Sequence, residues 1–208
     1  MSFRIEEKIV LSNNFFIDIK KFLKSNNYKT LFPNRKIFSI YFDTLNFDMY
    51  LDSEEGTLPR KKIRLRSYPL KENLDWKLET KINSVEGKYK ISKEIKNIDF
   101  NNFITRGIFD NQYGSCEPKI SINYTREYWS MDSTRITIDY NLKFNSIYKN
   151  NFSFEDKNLV IIELKANKNL NKTIDFFNKI IPYQRQRFSK YCEGINKLYK
   201  INELKKSV

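Results

Sequence analysis

Histidine is absent from all 208 residues. That removes imidazole general bases, imidazole metal ligands and phosphohistidine chemistry. Cysteine is nearly absent. Cys116 and Cys192 stand far apart and no CxxC pair occurs, which excludes a zinc ribbon or a dithiol redox motif. Two separate thiols suit a reducing compartment, so the expected location is the cytoplasm. Glycine and proline number five each, without a linker-like tract, an internal repeat or a composition break, so a single domain over 1–208 is expected. The longest apolar runs, such as Leu159–Ile162, are far too short to span a bilayer. The N-terminal MSFRIEEKIVL has no apolar signal-peptide core, and a soluble chain is expected.

What the chain does have is positive charge and aromatic bulk. Thirty-eight Lys and Arg against 25 Asp and Glu give a net charge of +13, which favours polyanionic partners. Seventeen Phe and 13 Tyr within 40% hydrophobic residues are enough for a packed core.

Period-two alternation predicts eight strands, at 3–11, 36–43, 60–68, 75–82, 88–95, 118–129, 133–142 and 159–166. Short connections favour antiparallel pairing. Helical spacing predicts helices over 13–26, 171–180 and 189–199, capped at the outer two by Ser12 or Asn13 and by Ser189, with one or two turns within 98–109. The fold class expected is α+β, an antiparallel barrel flanked by helices.

The alternation splits most strands into an apolar and a charged face. Lys62, Arg64 and Arg66 oppose Ile63 and Leu65; Lys77, Glu79 and Lys81 oppose Trp76, Leu78 and Ile82. Lys88 and Lys90 oppose Tyr89 and Ile91; Glu163 and Lys165 oppose Ile162 and Leu164. One reading is an apolar interior and a charged surface. Two features weigh against it. The charged faces are mostly basic with interspersed Glu, and the helices carry apolar stripes suited to covering the apolar faces from outside. The charged faces would then point into the barrel, where lysines and arginines need anions or carboxylates to neutralise them. Strand 118–129 does not fit either scheme, because Tyr124 and Arg126 share a face with Ile120 and Ile122. Either it bulges, or that face is apolar at one end and polar at the other.

Seven segments occur in this order: YFDT (41–44), RKKIRLRSY (60–68), LETK (78–81), NYTREYW (123–129), RITIDYNL (135–142), IIELKA (161–166) and FSKYCEG (188–194). Together they resemble the VTC domain, the polyphosphate polymerase domain of the triphosphate tunnel metalloenzyme, or CYTH-like, superfamily. The resemblance covers about 3–199. It implies an eight-stranded antiparallel tunnel lined with basic residues and glutamates, holding a nucleoside triphosphate such as ATP with Mn²⁺ or Mg²⁺. It implies transfer of the γ-phosphoryl group to a polyphosphate chain.

By this resemblance Arg64, Arg66, Lys81 and Lys190 are catalytic. Lys8, Lys62, Lys93, Tyr124, Arg126 and Arg135 bind phosphate or nucleotide, although the alternation around Lys93 is ambiguous. Glu163 binds the metal, and Glu6 is either a second ligand or a partner for a lysine. Asp43 and Thr44 of YFDT read as structural, and Asp139 as a residue that orders an arginine such as Arg135. The first strand carries Arg4 where the hydrolytic branch of the superfamily has the first of two glutamates, which favours the VTC branch. The regulatory domain and membrane segments of eukaryotic VTC subunits are not in this sequence, and a membrane-protein partner would take over product translocation. No Walker A loop occurs, so phosphates would be held by side chains. The alternatives are hydrolysis of tripolyphosphate or nucleoside triphosphate on the same fold, and a non-catalytic module binding polyphosphate or another polyanion. No RNA-binding module motif occurs, so no specific nucleic acid partner is expected.

Overall fold

The structure, a computed structural model, describes residues 5–69, 75–132, 134–147, 152–166 and 187–199. The predicted helix over 171–180 lies outside the described residues. The chain forms two compact units. One comprises Met1–Lys36, Tyr124–Leu142 and Glu155–Phe188; the other comprises Ile37–Asn123, Lys143–Phe154 and Ser189–Val208.

Ten strands are described: β1 (Ile5–Ser12), β2 (Lys29–Asp43), β3 (Arg60–Ser67), β4 (Trp76–Ser84), β5 (Gly87–Glu94), β6 (Ile108–Asp110), β7 (Gly114–Met131), β8 (Thr134–Ser146), β9 (Ser153–Asp156) and β10 (Leu159–Ala166). The four described α-helices are α1 (Phe16–Ser25), α2 (Asp48–Glu55), α3 (Asn97–Arg106) and α4 (Lys190–Tyr199). Hydrogen bonding orders the strands β1-β10-β8-β7-β2-β3-β4-β5, with β6 on β7 and β9 on β8. The eight strands on this path are the eight that alternation predicts. β1 and β5 are its ends, so the path is not closed by backbone pairing among the described residues.

In the first unit, α1 lays Ile19 and Leu23 on the apolar face of the sheet. There they pack with Ile9 and Leu11 of β1, Ile136 and Ile138 of β8, and Ile162 and Leu164 of β10. Ser12 accepts a hydrogen bond from the Asn14 amide, and a 3₁₀ turn over Asn13–Phe15 leads into the helix. A salt bridge from Lys20 to the buried Glu127 (2.7 Å) ties the polar side of α1 to β7.

In the second unit, Ile63 and Leu65 of β3 pack with Phe42, Met49, Trp76 and Cys116, and α3 adds Phe100, Phe103 and Ile104. Helix α3 stops at Gly107, whose φ is +77°. A Cβ there would lie 2.4 Å from the Cys116 carbonyl oxygen, so only glycine allows the turn into β6.

Helix α2 is not visible in the hydrophobic period. Its buried residues are Met49, Tyr50 and Ser53, with little apolar stripe to see. It forms because Asp43 caps it. The Asp43 carboxylate accepts hydrogen bonds from the amides of Thr44 (2.8 Å), Met49 (2.9 Å) and Tyr50 (2.9 Å). The structural reading of YFDT therefore holds, with Asp43 ending β2 and starting α2.

The puzzle of β7 is resolved by what covers it. Ile120 and Phe144 are fully buried, and α4 approaches them so closely that a Cβ on Gly194 would lie 2.7 Å from each. Farther along the same face, Tyr124 and Arg126 belong to the other unit and meet charged residues. The face is apolar first and polar later. Alanine in a helix normally gains about 1 kcal/mol over glycine. At Gly194 overpacking against these two fully buried side chains costs about 1–3 kcal/mol. Gly194→Ala is therefore expected to lower the thermal midpoint, and a raised midpoint would contradict this packing.

Candidate active site

Arg64 and Arg66 are 6% and 5% exposed, while Ile63 and Leu65 on the opposite face of β3 are buried against α3. Both faces of β3 are thus covered, and the charged-surface reading fails for these arginines. What neutralises them is Glu79 of β4, 2% exposed and directly opposite Arg64 in the register. Its Oε2 accepts from Arg64 Nε (2.8 Å) and Nη2 (2.6 Å) and lies 3.8 Å from Arg66 Nη1. Its Oε1 accepts from Lys90 Nζ. Arg64 Nη1 also donates to the Tyr41 hydroxyl (2.8 Å), and Arg66 Nε donates to Ser39 (3.1 Å). A guanidinium has five N–H donors. Three of those on Arg64 are engaged, and one on each terminal nitrogen has no partner among the described residues.

Burial opposes the charge on Glu79, but Arg64 and Arg66 outweigh it and hold the carboxyl down at about 2, against an ordinary 4.5. A depressed carboxyl stabilises the fold above its unfolded value, and the contribution is lost as pH falls from 4.5 toward 2. Glu79→Gln is expected to cost on the order of 3 kcal/mol at neutral pH and to flatten the acid limb of stability. Thermal melts between neutrality and pH 2 measure this; an unchanged acid limb in the variant would remove Glu79 from the role.

Lys62 and Lys81 face each other across β3 and β4 and share the charged face, with Lys81 paired in turn with Lys90. Lys93 does not join them. Its register partner is Leu78, whose side chain packs in the apolar cluster, so Lys93 lies on the opposite face and is exposed. The lysine that reaches the arginine cluster from β5 is Lys90. One residue of register separates the alternatives, and only strand pairing decides between them. Lys190 opens α4 and is half-buried, with the Ser189 hydroxyl accepting from the Cys192 amide (3.4 Å) as the predicted cap. Next to it, Tyr191 stacks on Tyr41 and donates to Asp43 (2.5 Å).

The first unit holds a second cluster on the face opposite α1. Glu163 of β10 faces Lys8 of β1 and Thr137 of β8, and Lys165 faces Glu6 and Arg135. Lys165 pairs with Glu163 (3.0 Å) and Glu6 (3.4 Å), and Lys8 donates to the Phe188 carbonyl (3.4 Å). Arg126 makes a forked pair with Asp139 (2.5 and 2.7 Å) and lies 3.9 Å from Glu163. The arginine that Asp139 orders is therefore Arg126, not Arg135. Arg135 is exposed and makes no ion pair among the described residues. Tyr124 is buried with Arg126 over its ring at 5.5 Å, so that ring face is already occupied.

Protonated Glu6 donates a hydrogen bond to the Glu163 carboxylate. Burial and the Glu163 carboxylate push Glu6 up. Burial would also raise Glu163, but its bond to Glu6 and the charges of Lys165, Arg126 and Lys8 outweigh it and hold it well below the usual carboxylate range. The Thr137 hydroxyl, opposite Glu163, is buried with no partner among the described residues. Two touching carboxylates and an orphaned hydroxyl oxygen are hard donors of the kind that fit Mg²⁺ or Mn²⁺ with retained waters. Glu6 thus contacts both a carboxylate and a lysine.

The arrangement recurs in solved structures as fold alone. A candidate adenylate cyclase from Bacillus halodurans superposes with a TM-score of 0.62 at 11% identity, covering 96% of this chain and 100% of that one. PH1819 from Pyrococcus horikoshii gives 0.51 at 12% identity, covering 88% and 95%. A candidate adenylate cyclase from Vibrio parahaemolyticus gives 0.50 at 12% identity, covering 94% and 98%. These structures and this chain share one fold class. Within that class the chain belongs to the VTC domain family, whose model matches residues 3–115 and 108–199. No curated protein matches it. Among the described residues no helix is long and apolar enough to cross a membrane.

Proposed function

We propose that this protein is a metal-dependent ATP:polyphosphate phosphotransferase that moves the γ-phosphoryl group of ATP onto a polyphosphate chain. The observation that carries the reading is the buried Arg64–Arg66 pair. Among the described residues Glu79 forks Arg64 and lies beside Arg66, and two Arg64 donors remain. Phosphoryl transfer asks a protein mainly for positioning and charge stabilisation, and a pre-aligned guanidinium fork supplies both. Arg64 and Arg66 grip phosphoryl oxygens, and Lys62, Lys81, Lys90 and Lys190 add positive charge around the chain. In the first unit, Glu163 and Glu6 would hold Mn²⁺ or Mg²⁺, which when bound supplies a Lewis-acid charge. Asp139 keeps Arg126 aligned. The acceptor is already an anion, so no histidine base is required. Two buried free cysteines suit action in a reducing cytoplasm.

The test is incubation with ATP and Mn²⁺ or Mg²⁺, with gels for long polyphosphate and assays for ADP and free phosphate. Long chains with ADP are expected. Free phosphate without chains would move the activity to hydrolysis. Binding of polyphosphate with no turnover of any triphosphate would leave only a polyanion-binding module.

A further inference from the structure

Tyr41 is a buried phenol, 5% exposed, directly opposite Arg64 in the β2–β3 register. Its ring is held by Tyr191 of α4 at 5.2 Å and 17°. Its oxygen accepts a hydrogen bond from Arg64 Nη1, and no described residue accepts its own proton. Every neighbour that could is committed or cationic. Arg64 and Arg66 on β3 and Lys81 on β4 are positive and have only protons to offer. Glu79 gives its oxygens to Arg64 and Lys90, and the Tyr191 hydroxyl donates to Asp43. Buried hydroxyls are rarely left without an acceptor, because desolvation then goes uncompensated.

We propose that Tyr41 contacts the substrate directly, its phenol O–H donating to a phosphoryl oxygen that Arg64 also holds. This rests on the phosphate-handling reading and adds to it a ligand-contacting residue and a proton linkage. In the free protein, burial opposes ionisation, but the charges of Arg64 and Arg66 outweigh it and lower the phenol to about 7, against an ordinary 10. Near pH 7 roughly half of the chains then carry a phenolate at Tyr41 before ligand arrives. An arriving phosphate anion offsets those charges and supplies the missing acceptor. The phenolate takes one proton from solvent, and the phenol then donates it in a hydrogen bond. No covalent bond forms or breaks.

The near-ultraviolet absorbance of tyrosinate reads this without turnover. In the full chain without ligand, one of the 13 tyrosines is expected to titrate near neutrality, and Tyr41→Phe, which keeps the ring stack, should abolish that signal. Inorganic tripolyphosphate should push the titration to higher pH in the parent. It should bind Tyr41→Phe about 10- to 100-fold more weakly, as expected for loss of a hydrogen bond to a charged group. A circular dichroism spectrum matching the parent establishes that the variant is folded. If tripolyphosphate binds parent and variant equally and neither shows a neutral tyrosinate, Tyr41 is not a contact, while the phosphate-handling reading stands. If tripolyphosphate fails to bind the parent, the phosphate-handling reading falls, and the Tyr41 contact falls with it.

Discussion

Arg64→Ala and Arg66→Ala are each expected to lower turnover by ~10³-fold or more, the scale set by arginines that stabilise a transferring phosphoryl group. The loss should fall on kcat as well as on triphosphate affinity, because the charge on the phosphoryl oxygens is redistributed in the transition state. Stability is a separate matter. Removing Arg64 takes away two of the hydrogen bonds to Glu79 and the bond to Tyr41, yet Lys90 and Arg66 remain beside the carboxylate. The variant is expected to fold with a lower thermal midpoint. Arg64→Lys separates charge from geometry. A lysine restores a positive point but not the fork that bonds Glu79 and Tyr41 at once, so its activity should stay far below the parent's. Activity equal to the parent in either alanine variant, with polyphosphate as product, would show that the phosphates bind elsewhere.

Glu163→Gln should have the second large effect, on divalent cation binding. The substitution keeps size and some hydrogen bonding but removes the charge that Lys165 and Arg126 stabilise. Mn²⁺ affinity, read by electron paramagnetic resonance of the free ion, is expected to fall by about 100-fold or more, and metal-dependent turnover with it. Glu6→Gln should weaken Mn²⁺ less if Glu6 serves chiefly as the partner of Lys165. Unchanged Mn²⁺ binding in both variants would mean that this carboxylate pair is a structural feature of β1 and β10. The fold is expected to persist in Glu163→Gln, because the apolar face of the same strands packs on α1 and does not involve Glu163.

Much of this site can be read from local pattern. Alternation along 60–68 separates Arg64 and Arg66 from Ile63 and Leu65, and the same period separates Glu163 from Ile162 and Leu164. The structure keeps both separations. Strand ends were less legible. β2 begins at Lys29 and β7 runs from Gly114 to Met131, because their outer parts pair as strands without a clean alternation of burial. Helix α2 left little trace because an aspartate cap, not an apolar stripe, starts it.

By itself the sequence determined which residues share a strand face, since successive side chains in a strand point to opposite sides. It determined an excess of positive charge needing anions, and an ordered set of segments belonging to the VTC domain family. Only the tertiary structure decided which lysine of β5 meets Glu79, that Glu79 clamps the arginines, that Asp139 aligns Arg126 and not Arg135, and that Tyr41 sits beneath Arg64. These are contacts between residues 11 to 23 positions apart. They depend on strand register and helix docking, where a shift of one residue moves a side chain to the other face. A local pattern contains the period but not the pairing.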